Sequence, residues 1–98
     1  MAEKELIQII NKQIDTAFTE DTSMQELQQK LTVYINSLIQ TDFQKLVTIL
    51  YRVDVDENKL KTILKNEAGK DAADIIAGLI IEREMQKIQT RKQFSSKK

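Results

Sequence analysis

DAADIIAGLIIEREMQKIQTRKQF, residues 71–94, decides the fold, because it opens almost purely apolar and closes polar and basic. At about 100° per residue, Ala72, Ala73, Ile75, Ile76, Ala77, Leu79, Ile80 and Ile81 spread over roughly two thirds of a helix circumference. Only several surrounding helices can cover so wide an arc, so this half is predicted to be packed centrally. Beyond Ile81 the apolar positions narrow to one stripe, Ile81, Met85 and Ile88, with Glu82, Arg83, Glu84, Gln86 and Lys87 on the other sides. That half is expected to lie on a surface or project from it.

The chain around this stretch has 98 residues, 41% of them apolar, with no proline and only two glycines, Gly69 and Gly78. One small core suits that length, and abundant Leu, Ile, Lys, Gln and Glu favour helix over strand. The expected fold is all-α: a single-domain bundle of about five helices over residues 1–94, with the C-terminal helix central. Residues 95–98 are read as a basic disordered tail.

Absence of cysteine removes disulfides and thiolate metal sites and is compatible with a reducing cytoplasm. Absence of histidine removes the usual metal ligand and the commonest general acid/base. No cofactor or metal site is expected, and no catalytic residue is assigned. The first fifteen residues lack the pattern of a secretory signal, and the apolar run 75–81 is far short of the roughly 20 residues that span a bilayer. A soluble cytoplasmic protein is the expectation.

Net charge is zero but unevenly placed. Residues 1–42 carry three basic and seven acidic side chains, residues 43–86 seven and eight, and residues 87–98 five and none. The basic end, Lys87, Arg91, Lys92, Lys97 and Lys98 with Phe94 among them, reads first as a solvated tail. Its alternative is contact with phosphates, Phe94 stacking on a base or entering an interface.

Taken in order, residues 2–18 are predicted as a first helix, with Leu6, Ile7, Ile10, Ile14, Ala17 and Phe18 inward, followed by a loop. Ser23 and Glu26 form a capping box for a second helix with the stripe Met24, Leu27, Leu31, Tyr34, Ile35, Leu38 and Ile39. Thr41 and Gln44 repeat the capping pattern before a third helix carrying Phe43, Leu46, Val47, Leu50 and Val53. Without a break there, the second and third helices would merge into one rod. Asp54 or Asp56 caps a fourth helix bearing Leu60, Ile63 and Leu64. Residues 66–69 read as its glycine stop, and Asp71 as the cap of the last helix with Asp74 in its first turn.

Asp54, Asp56 and Asn58 match the first, third and fifth positions of a calcium loop, but Lys59 and Lys65 stand where the sixth needs glycine and the twelfth glutamate. Helix capping is the reading kept. A helix-turn-helix would expose Asn58, Lys59, Lys61, Lys65 and Asn66, yet Asp54, Asp56 and Glu57 would repel the backbone at the groove-entering end. Arg83 is expected to cover apolar surface while its guanidinium meets water or a carboxylate; contact with a second chain is the alternative. Ala73, Ala77 and Gly78 are read as a smooth side for close helix packing, and Tyr34 and Tyr51 as core-edge residues with hydrogen-bonded hydroxyls.

TDFQKLVTILYRVDVDENKLKTIL, residues 41–64, and LIIEREMQKIQTRKQF, residues 79–94, resemble a group of small bacterial proteins recorded as uncharacterised. The resemblance implies a small all-helical cytoplasmic protein and supplies no activity. The functional expectation is a non-enzymatic protein–protein interaction or self-association module. Its contact surface is placed at Ile81, Arg83, Met85 and Ile88. The alternative is a nucleic-acid accessory protein using Lys87, Arg91, Lys92, Phe94, Lys97 and Lys98.

Overall fold

Helix α5 (Gly69–Ser96) is 28 residues long. At about 1.5 Å per residue it measures about 42 Å, which accounts for the 44 Å long dimension of a body 28 by 19 Å across. The computed structural model describes residues 2–67 and 69–96, and the side chains of residues 4–67 and 71–91. Before α5 come α1 (Ala2–Ile14), α2 (Met24–Thr41), α3 (Phe43–Val53) and α4 (Glu57–Asn66), with no strand among the described residues.

Ala72, Ile76, Ile80, Glu84 and Ile88 are all buried at steps of four, with Ala73, Ala77 and Ile81 beside them. Each four-residue step advances about 40° around the axis, so the row sweeps about 160° from its first member to its last. That drift lets one helix touch all four others, α2 most extensively. Central packing of the C-terminal helix is therefore observed. The buried arc is narrower than the apolar composition implies: Ile75 is 41% exposed and Leu79 half-buried, because the cleft they share with Asn58, Thr62 and Ile63 of α4 stays open. Among the described residues, no helix is long and apolar enough to cross a membrane.

The first helix ends four residues earlier than its pattern predicts. Asp15 takes the left-handed conformation, φ 60°, and the Asn11 side chain fixes the chain beyond it. Asn11 Oδ1 accepts from the Thr16 hydroxyl at 2.8 Å and the Phe18 N–H at 2.9 Å, while its Nδ2 donates to the Phe18 carbonyl at 2.9 Å. Phe18 still reaches the core, from a loop; Ala17 is exposed. Leu6, Ile7, Ile10 and Ile14 supply the buried face of α1.

Ser23 and Glu26 form the expected capping box, each side chain 3.2 Å from the other's backbone nitrogen. The break between α2 and α3 is one residue, Asp42, with φ −154° and ψ 70°. Its N–H closes α2 on the Leu38 carbonyl at 2.9 Å, and its carboxylate opens α3 by accepting from the Lys45 N–H at 3.2 Å. Thr41 does not cap α3, because its hydroxyl donates back to the Ser37 carbonyl at 2.7 Å. Leu46, Ile49, Leu50 and Val53 face the core, whereas Phe43 is exposed.

Asp54 closes α3 in the left-handed conformation, φ 71°, and Asp56 caps α4 by accepting from the Asn58 N–H at 2.9 Å. The predicted glycine stop is corrected: α4 ends at Asn66 through Glu67 in extended geometry, whose N–H donates to the Ile63 carbonyl at 2.8 Å. Gly69 opens α5 instead. Asp71 accordingly lies in the first turn of α5 rather than at its cap, and Asp74 comes one turn later. The expected domain limit at residue 94 falls within the last turn of α5, and residues 97–98 lie outside the described residues.

Candidate interaction site

On the distal half of α5 the row of four continues, and it reverses the expectation of an exposed apolar stripe. Ile81 and Ile88 are buried by this chain's own core, and only Met85, 38% exposed, remains open. The physical cause is the drift of the buried row, which brings Ile81, Glu84 and Ile88 onto the inner side. Arg83 reaches Asp54, Nη2 to Oδ2 at 2.9 Å, with Gln86 Oε1 at 3.4 Å from Nη1. Its carboxylate contact is thus intramolecular and ties α5 to the end of α3.

Glu84, expected on the solvent side, is 0% exposed. Its Oε1 accepts from Lys87 Nζ at 3.0 Å, and its Oε2 is buried without a hydrogen-bond partner among the described residues. Lys87 keeps 25% of its side chain exposed. Of the six residues read as a phosphate cluster, Lys87 is therefore turned toward Glu84 and Arg91 is exposed. The side chains of Lys92, Phe94, Lys97 and Lys98 lie outside the described ones.

A different face emerges between α3 and α4. Asp54, Val55 and Asp56 join the two helices in three residues, and the tight turn leaves a groove of about 620 Å³ over buried Leu50 and Leu60. Val47 and Val55 line it, Tyr51 stands at its rim, and Asp54, Asp56 and Glu57 add three carboxylates. Tyr51 is 88% exposed, contrary to its reading as a core-edge residue. It follows buried Leu50 in α3, and the next helical position around the axis points outward. Tyr34, by contrast, is half-buried and donates to the Ile14 carbonyl at 3.3 Å.

The acids at this turn each have local duties. Asp56 caps α4, Glu57 lies in the first turn, where a negative charge complements the helix dipole, and Asp54 is paired with Arg83. Among the described residues no group of His, Cys, Asp or Glu is arranged to hold a metal ion. Asn58, Lys59, Lys61, Lys65 and Asn66 are exposed along α4.

A second polar feature, unforeseen in the sequence, locks α2 to α5. Gln28 Nε2 donates to the Asp74 carbonyl and to Asp74 Oδ1, both at 3.0 Å, and Thr32 Oγ1 lies 3.0 Å from the same carboxylate oxygen. The four-residue spacing of Gln28 and Thr32 was the available signal. Gly78 lies nearby, yet among the described residues a Cβ there would meet only Gln28 Oε1, at 3.9 Å. The close approach of another helix predicted for Gly78 is not made. Comparisons with protein-family models, curated proteins and solved structures found no match.

Proposed function

We propose that this chain is a non-enzymatic interaction module that self-associates, and that the α3–α4 groove is its contact face. The observation carrying the reading is Tyr51, a large aromatic side chain 88% exposed beside an apolar groove. Tyrosine is enriched at protein interfaces, where its ring buries area and its hydroxyl stays hydrogen-bonded. The groove replaces Ile81, Met85 and Ile88 as the contact surface, since two of those three are used in folding.

Lack of cysteine and histidine is in keeping with a binding role inside a reducing compartment. Sedimentation velocity over a wide concentration range tests the reading. Wild type is expected to assemble reversibly, and Tyr51→Ser to assemble more weakly with an unchanged melting temperature. A strict monomer at high concentration would defeat it.

A further inference from the structure

We infer that the α3–α4 groove receives the carboxy-terminal segment of a second copy, residues 91–98, in a head-to-tail contact. The inference rests on the self-association reading and names its occupant. Residues 91–98, RKQFSSKK, hold four cations, one aromatic ring and no acid. The groove offers the complement, an apolar floor of Val47, Leu50, Val55 and Leu60 with Asp54, Asp56 and Glu57 around it. Phe94 fits the floor beside Tyr51 as one aromatic ring against another, and the flanking cations meet the carboxylates.

The helical backbone of α5 runs on past the groove of its own chain. Among the described residues, Gln86 is the last of α5 to line the neighbouring crevice with Asp54, Val55 and Asp56. Helical geometry continues to Ser96, carrying position 94 about 12 Å further along the axis. Return would require α5 to unwind, whereas a second copy presents its end from outside. Donor and acceptor are different surfaces of one chain, so the contact is heterologous and grows into chains or closed rings.

Two variants separate the surfaces. A chain ending at Arg91 keeps every buried α5 residue through Ile88, and Tyr51→Ser with Glu57→Lys alters only exposed groove positions. Circular dichroism checks that both fold. In sedimentation velocity at low salt, wild type is expected to grow beyond a dimer, while each variant alone associates at least about tenfold more weakly. An equimolar mixture of the two variants should form a dimer that stops there, since one tail and one groove remain intact.

Phe94→Ser in the full-length chain, keeping every cation, should weaken assembly as well, and moderate salt should weaken it in wild type. If wild type assembles and the variants assemble equally well, or the mixture stays monomeric, the tail-in-groove contact is overturned while self-association stands. Wild type that remains monomeric throughout overturns both.

Discussion

Replacing Glu84 with leucine is predicted to stabilise the protein, although it deletes an ion pair. The Glu84 carboxylate is fully buried, one oxygen bonded to Lys87 at 3.0 Å and the other without a partner among the described residues. An unsatisfied buried polar group costs about 1–3 kcal/mol, which leucine relieves, and removal of one member of a buried pair is costly only where the remaining charge stays buried. Lys87 is 25% exposed, so its ammonium can return to water once the carboxylate is gone. The net gain should be about 1–2 kcal/mol, raising the melting temperature by about 5–10 °C for a domain of this length.

Lys87→Met should do the reverse. It leaves the carboxylate buried and unpaired, at a cost of about 2–3 kcal/mol after allowing for the partial exposure of Lys87. Urea and thermal unfolding followed by circular dichroism measure both variants, and the double variant closes the cycle. Loss of more than about 1 kcal/mol in Glu84→Leu would refute the reasoning, because the carboxylate would then be contributing contacts that leucine cannot replace.

Gly78→Ala should stabilise by about 1 kcal/mol, the helix-propensity difference, because its Cβ finds ordinary contact at 3.9 Å; thermal melts read the gain directly. Asp15→Gly should gain about 0.5–1 kcal/mol by relieving the left-handed backbone at φ 60°. The lost ion pair with Arg52, 3.4 Å long and about half exposed, subtracts little, so a net loss in urea unfolding would contradict this account. Ile80→Ala, at a fully buried position, should cost about 2–5 kcal/mol, visible as a lower urea midpoint.

The Gln8 hydrogen bond holds the Glu20 carboxyl below its ordinary pKa against an opposing effect of burial, with the Lys4 charge adding a lesser lowering. A lowered folded-state value stabilises above the unfolded pKa and is lost as pH falls through the folded one. Carboxylate NMR should therefore show Glu20 titrating low in wild type and higher in Gln8→Ala.

Helix initiation was legible in the sequence at α2 and α4, and α2 shows why. Ser23 and Glu26 stand three apart before a clean stripe, and both halves of the capping box form. Endings were harder, since the α1 stop uses Asp15 in a conformation usually reserved for glycine and an Asn11 side chain that bonds residues five and seven positions on. Gly69 misled in the opposite sense, being read as a stop where it opens α5.

The site was less legible than the fold. On α5 the four-step row from Ala72 through Ile88 passes through Glu84, a carboxylate and so a residue type ordinarily assigned to water, whereas the apolar residues alone mark a stripe through Met85. For Tyr51, burial depends on how far α4 covers α3, which is set by the tight turn at residues 54–56 and has no signature in periodicity. The Gln28–Asp74 bond joins residues 46 apart, beyond what any local pattern records.

The one-residue joint at Asp42 also bears on how many molecules make one fold. Were its φ of −154° and ψ of 70° exchanged for helical values, residues 24–53 would form a single rod about 45 Å long. Leu46, Ile49, Leu50 and Val53, which now fold back into the core, would then be carried beyond reach of their own chain and into the vacant core of a neighbour. Asp42 thus lets one chain complete this core by itself, where a continuous helix would have to borrow the packing from a second chain. The second architecture differs from the first by one pair of backbone angles.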